Sequence, residues 1–228
     1  MTDFTVIDQQ PDFLVVDKHP NTNFHDEGNL GNGVFNQVKR ALSLDILFPV
    51  HRLDKLTSGL LIFAKTEQAA QDFQKQFSNH DIEKYYLALS AAKPKKKQGA
   101  IKGDMAKSRR GMWKLLRTND NPAITQFFSY SIEPGARAFV LKPHSGKTHQ
   151  IRVAMNSIGA PILGDELYGG NSSDRGYLHA YAMRFTLFGK PYEYILPPRL
   201  GSQFTAPIFV KWLEHQPAPW QQHWPKKP

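Results

Sequence analysis

One carboxylate stands in a polar cluster that runs directly into an apolar segment: His51-Arg52-Leu53-Asp54-Lys55-Leu56-Thr57-Ser58-Gly59-Leu60-Leu61. Residues 60–64 are short, apolar and rich in strand formers, which predicts an interior strand. Thr57-Ser58-Gly59 predicts the bend that feeds it. Arg52 and Asp54 are therefore expected on a tight loop at the mouth of a sheet, where a rigid scaffold can hold a reactive group. The same Asp, beside Thr-Ser-Gly, also suits a turn residue that bonds its own backbone.

Other groups offer rival chemistries. His51, His144 and His149, with a basic surface, would suit the acid–base work of a ribonuclease. His149 and Asp165 are metal-ligand types, but no diagnostic ligand spacing surrounds them. Gly146-Lys147-Thr148 ends like a phosphate-binding loop, yet the required first glycine falls at Leu141. With no Cys, the chain has no disulfide, thiolate nucleophile or cysteine metal site. A non-catalytic RNA-binding protein would keep the basic surface without needing Asp54.

The charge is concentrated. Net charge is +9, and residues 93–117 hold ten Lys or Arg against the single acid Asp104. That stretch alone carries the whole excess, since the remaining residues balance. Such a footprint suits a polyanion, although a solubilising loop would have the same composition. Lys95, Lys96, Lys97, Lys107, Arg109 and Arg110 are the candidate phosphate contacts, and Trp113 among them can stack on a base. The stretch is expected to be a loop that closes over such a polyanion.

The elements that must position these groups follow from periodicity. Residues 4–16 predict one early strand, and residues 33–44 a helix carrying Val34, Val38 and Leu42. Thr66 is a candidate N-cap for a helix with Ala69, Ala70, Phe73 and Phe77 on its inner face. Strands are expected over 85–90, 123–131 and 138–142. Thr148 should cap a helix carrying Ile151, Met155 and Ile158, stopped by Gly159 and Pro161. Residues 185–195 predict a hairpin across Gly189-Lys190. The fold class is α+β, with a mixed, largely antiparallel sheet and flanking helices. One domain over residues 1–215, with the basic insertion at 93–117, would be followed by a loosely packed Pro/Trp-rich tail over 216–228. No run has the length of a membrane helix, and Met1-Thr2-Asp3 begins no signal peptide. The expectation is a cytoplasmic protein, monomeric and without membrane contact.

The motif around Asp54 closely resembles the catalytic motif of the RluA-type family of pseudouridine synthases. Further pieces are similar to the family's and appear in its order. They are Asp12-Phe13-Leu14-Val15-Val16-Asp17-Lys18 with His25, then Glu83-Lys84-Tyr85-Tyr86-Leu87-Ala88, then Lys147-Thr148-His149-Gln150-Ile151-Arg152-Val153. Ile158 through Asp165 to Tyr168-Gly169, and Leu178-His179-Ala180, complete the set. Lys147 stands where the family usually has Arg, Ala154 and Ala160 replace family histidines, and His19-Pro20-Asn21 replaces the usual opening turn.

The resemblance implies the pseudouridine synthase catalytic fold, an active-site cleft between two lobes, and no room for the small RNA-binding module that precedes the domain in many relatives. It implies Asp54 as the catalytic residue and Arg152 as the cation opposing its neutralisation, with a guanidinium forked onto the carboxylate. Tyr86 and Ile151 would sandwich the uracil, Arg52 would help hold the flipped conformation near the vacated stack, and His51 and Arg152 would also bind substrate. The reaction breaks the bond from uracil N1 to ribose C1′ and joins C1′ to C5. It transfers no electrons or phosphate, so no cofactor, nucleotide or metal is expected. The substrate would be ribosomal or transfer RNA, with attack at C1′ or at uracil C6 both open.

Overall fold

The apolar run expected as one early strand folds back on itself. In the computed structural model, which describes residues 2–26, 28 and 31–227, β1 (Phe4–Gln9) and β2 (Phe13–Lys18) pair antiparallel. Pro11 between them has no N–H for a ladder, and Gln10 N–H closes the turn on Phe13 O at 2.9 Å. The chain continues through α1 (Val34–Ala41), β3 (Phe48–Pro49), β4 (Ser58–Ala64) and α2 (Glu67–Asn79). Then follow β5 (Glu83–Ser90), β6 (Gln98–Gly103), β7 (Met105–Lys107), β8 (Trp113–Leu115), β9 (Ala123–Glu133), β10 (Ala136–Pro143) and α3 (Gln150–Ser157). The last elements are β11 (Leu178–Leu187), β12 (Lys190–Ile195) and α4 (Pro207–Glu214). Two units result, Met1–Glu83 with His179–Pro198, and Lys84–Leu178 with Arg199–Pro228. The architecture is α+β with largely antiparallel strands and flanking helices.

In the first unit the strand order is β1-β2-β4-β11, with β3 on β4 and β12 on β11. Every residue of β4 is buried, as its unbroken apolar run requires. Thr66 caps α2 as expected, its hydroxyl accepting Ala69 N–H at 3.3 Å. Phe73 of that helix meets Phe13 edge-on with centroids 5.9 Å apart, and Phe185 and Tyr192 close the cluster at 5.5 and 4.9 Å from Phe13. The β11–β12 hairpin turns one residue earlier than expected. Phe188 (φ 51°) and Gly189 (φ 78°) form the two-residue loop, both left-handed as a type I′ turn demands.

β4 and β11 run parallel where Ser58 faces His179 and Gly59 faces Ala180. At that point Gly59 has φ +108°, and a Cβ built there would lie 2.3 Å from Ala180 O. Gly59→Ala is expected to lose roughly 3 kcal/mol of stability or more, combining backbone strain with an overlap onto main chain that cannot give way. Urea denaturation measures this, and a midpoint equal to wild type would contradict it.

The second unit has strand order β5-β10-β9-β6, all antiparallel. Here the basic stretch departs from expectation. It is not an open loop but β6 followed by a β7–β8 hairpin, paired from Met105↔Leu115 to Lys107↔Trp113. Short strands in a charge-dominated segment lack the alternation that would reveal them. The tail also differs. Trp224 packs 4.9 Å from Phe128 and 5.8 Å from Tyr85, its Nε1–H donates to Pro219 O at 2.8 Å, and Gln126 donates to Pro225 O. The contacts of this half-buried aromatic outweigh the chain-end entropy that argued for looseness. Thr148 does not cap α3. The N-cap is His149 in left-handed conformation (φ 58°), and the Gln150 side chain accepts Lys147 N–H at 3.1 Å and the Ser145 hydroxyl at 2.7 Å.

Candidate active site

Asp54 opens a β-turn whose Asp54 carbonyl accepts Thr57 N–H at 3.0 Å, directly before β4. Its side chain is half-buried, Leu53 before it is buried, and Arg52 is exposed. Three side chains fix this turn. His51 Nε2 accepts Ile62 N–H at 2.9 Å while its ring stacks on Phe77 at 4.9 Å, which ties the entry of the turn to β4 and α2. Lys18 is fully buried, and its ammonium donates to His19 O (2.9 Å), Thr22 O (2.8 Å) and Lys55 O (3.3 Å). His179, also buried, joins the exit of the turn to β11. Its Nε2 lies 2.8 Å from Leu196 O, which can only accept, so Nε2 carries the proton and Nδ1 accepts the Ser58 hydroxyl at 2.7 Å. The loop that bears Asp54 is thus held on both sides, as a reactive group requires.

The second unit positions the other candidates. Tyr86 is half-buried on β5, opposite Leu141 of β10, and Lys84 on the same strand is pushed down to about 8 by burial. Ile151 and Arg152 lie in the first turn of α3, 7% and 8% exposed, and α3 packs on β8, β9 and β10. Arg152 makes a fork, but the carboxylate that receives it in this unit is Asp165, with Nε at 2.8 Å and Nη2 at 2.7 Å. Asp165 is 1% exposed, so this is a buried, bidentate pair. The Tyr168 ring lies below the guanidinium, 4.9 Å from centroid to Cζ.

In the basic stretch, all ten Lys and Arg side chains are exposed and Trp113 is half-buried. The one acid turns to structural use. The Thr118 hydroxyl, with the N–H groups of Asp120 and Asn121 at 3.0 and 2.8 Å, holds the Asp104 carboxyl below its ordinary range. The hairpin therefore presents cations to solvent with its carboxylate occupied at its base.

A family model described as RNA pseudouridylate synthase matches residues 12–157, more than half of the chain. The chain belongs to the RNA pseudouridylate synthase family. It is 51% identical over 211 residues to a Haemophilus influenzae protein named an uncharacterized RNA pseudouridine synthase, covering 92% of this chain and 94% of that one. It is 32% identical to ribosomal large subunit pseudouridine synthase C of Vibrio vulnificus, covering 79% of this chain and 61% of the relative. Against ribosomal large subunit pseudouridine synthase D of Nitrosomonas europaea the identity is 33%, covering 81% and 56%. The solved structure of human RNA pseudouridylate synthase domain containing 1 superposes with a TM-score of 0.73 at 22% identity, covering 96% of this chain and 97% of that one, a likeness of fold. The RluA-type resemblance is supported by these names, and the enzyme is an RNA pseudouridine synthase, an isomerase.

Within this pseudouridylate synthase, sequence reasoning missed the residues that hold the expected ones. Asp165 and Tyr168 sit inside a quoted motif, but nothing local says that the carboxylate returns to Arg152, thirteen positions earlier. Lys18 and His179 also lie in quoted motifs, and only burial reveals that they brace the Asp54 turn. His144 and His149, offered for acid–base chemistry, have partners in Gln126 Oε1 at 2.5 Å and the Tyr168 hydroxyl at 2.8 Å.

Proposed function

We propose that this synthase isomerises specific uridines of ribosomal or transfer RNA, with Asp54 as nucleophile on a uridine flipped out of its stack. The observation that carries the proposal is Asp54 itself, a half-buried carboxylate on a turn braced by His51, Lys18 and His179. The names of the Vibrio and Nitrosomonas relatives support ribosomal RNA as the first candidate. Comparing pseudouridine maps of total RNA from cells with and without this gene identifies the target. A map unchanged at every position would contradict the assignment.

In the mechanism, the flipped uracil rests between Tyr86 and Ile151, and Arg52, exposed beside the Asp54 turn, fills space near the vacated stack. His51 contributes by fixing the turn. Arg152, forked onto Asp165, is the counter-charge that keeps Asp54 ionised against desolvation. The carboxylate bonds to C1′ or C6, N1 separates from C1′, C5 joins C1′, the bond from the carboxylate to carbon breaks to free Asp54, and the C5 proton leaves while N1 gains one. The step consumes no oxidant, nucleotide or metal. The enzyme is proposed to act as a monomer.

The β7–β8 hairpin and its flanks supply phosphate contacts. Substituting Lys95, Lys96, Lys97, Arg109 and Arg110 with Gln should weaken RNA binding and flatten log affinity against log salt by about 0.7–0.9 per lost contact. The rate at saturating RNA should change much less. Trp113→Ala should act mainly on base flipping or site choice. An unchanged salt slope in the five-fold variant would mean that RNA is held elsewhere.

A further inference from the structure

Two parts of the second unit that do different jobs are joined at one hydroxyl. Tyr168 is 3% exposed, and its oxygen accepts Trp113 N–H at 2.8 Å. The same hydroxyl lies 2.8 Å from His149 Nδ1, on the residue that caps α3. The opposite side of this side chain, its ring face, supports the Arg152 guanidinium. Trp113 begins β8, the strand that leaves the exposed Arg109-Arg110 bend of the hairpin. A displacement of β8 thus reaches Arg152 through a single rigid side chain.

The turn that carries Tyr168 cannot absorb such a displacement. Gly164 has φ +78°, and a Cβ built there would lie 1.9 Å from Arg175 O. A Cβ on Gly170 would meet Ile162 O at 1.9 Å, and Asp165 O accepts both Tyr168 N–H (3.1 Å) and Gly170 N–H (2.9 Å). Backbone packed this closely holds Asp165 and Tyr168 as one block around the guanidinium. The hairpin, by contrast, is two three-residue strands with a cationic bend in solvent. The soft element is the hairpin, and its hydrogen bond to Tyr168 is where its position is registered.

We propose that Tyr168 is a positioning residue that couples seating of the β7–β8 hairpin on RNA to the orientation of Arg152, an inference that rests on the roles proposed above for Arg152 and the hairpin. RNA phosphates that draw the hairpin into place fix Trp113 N–H on the Tyr168 hydroxyl, and the ring sets the guanidinium for its task. The enzyme thereby completes its charged site only when RNA is held.

Tyr168→Phe keeps the ring and removes both hydroxyl contacts. Its single-turnover rate at saturating RNA should fall about 100-fold, the scale of a small misplacement of a catalytic group, while RNA affinity stays near wild type. A second readout needs no turnover. Oligocytidine RNA, which has phosphates and no uracil, should shift the Arg152 Nε–H resonance of the wild-type enzyme and leave it unmoved in Tyr168→Phe. No shift in wild type at saturation, or an equal shift in the variant, would overturn the coupling. If Tyr168→Phe does not fold, Trp113→Pro, which removes the N–H that Tyr168 accepts, replaces it: loss of the shift at saturating oligocytidine supports the coupling, and its persistence overturns it. A normal rate in Tyr168→Phe alongside an inactive Arg152→Ala would sink the coupling alone. A normal rate in Arg152→Ala would sink the assignment of Arg152 itself.

Discussion

Asp54→Asn is expected to abolish pseudouridine formation while leaving RNA binding and folding near wild type. The amide keeps the shape of the side chain, and the contacts that brace the turn come from His51, Lys18, His179 and the Asp54 main chain. The charge and one acceptor oxygen are lost, and a neutral carboxamide cannot serve as the nucleophile. Single-turnover assays of pseudouridine content, with binding measured in parallel, make the comparison. A variant that kept even a tenth of the wild-type rate would remove Asp54 from the chemistry.

Arg152→Ala is expected to act twice. It strands the Asp165 carboxylate, 1% exposed, without its bidentate partner, and breaking a buried pair from one side costs roughly 3–5 kcal/mol of stability. It also removes the proposed counter-charge of Asp54, so the folded fraction should lose several orders of magnitude in rate. Arg152→Lys should recover part of each loss, because an ammonium keeps the charge but cannot make the fork. Urea midpoints and single-turnover rates separate the two effects. A stable, fully active Arg152→Ala would contradict both.

What the sequence made legible follows the strength of local signals. β4 was readable because it is buried on both faces and so unbroken in its apolar run, and α2 because Thr66 and its inner face agree. The reaction class came from spaced motifs around Asp54, Tyr86 and Arg152, and the family match agrees with it. The failures arose where specific contacts, local at the α3 cap and distant in sequence elsewhere, decided against local preference. His149, in left-handed conformation, takes the cap position expected for Thr148, and Gln150 captures Lys147 N–H and the Ser145 hydroxyl. The basic hairpin hides its strands under charge, and its Trp113 N–H finds Tyr168, fifty-five residues away. The Trp-rich tail packs because Phe128 and Tyr85 await it. The fork expected of Arg152 was one onto Asp54, and its fork onto Asp165 was not foreseen.

As a pseudouridine synthase, this enzyme rearranges uridine within intact RNA. Forming the bond from C1′ to C5 expels the hydrogen on C5, whereas a ribonuclease would cut the chain and leave that hydrogen in place. The direct measurement uses RNA from cells lacking this gene, carrying tritium at uracil C5. The wild-type enzyme should release tritium in proportion to the pseudouridine formed, with RNA length unchanged. Shortened RNA without tritium release would contradict the account.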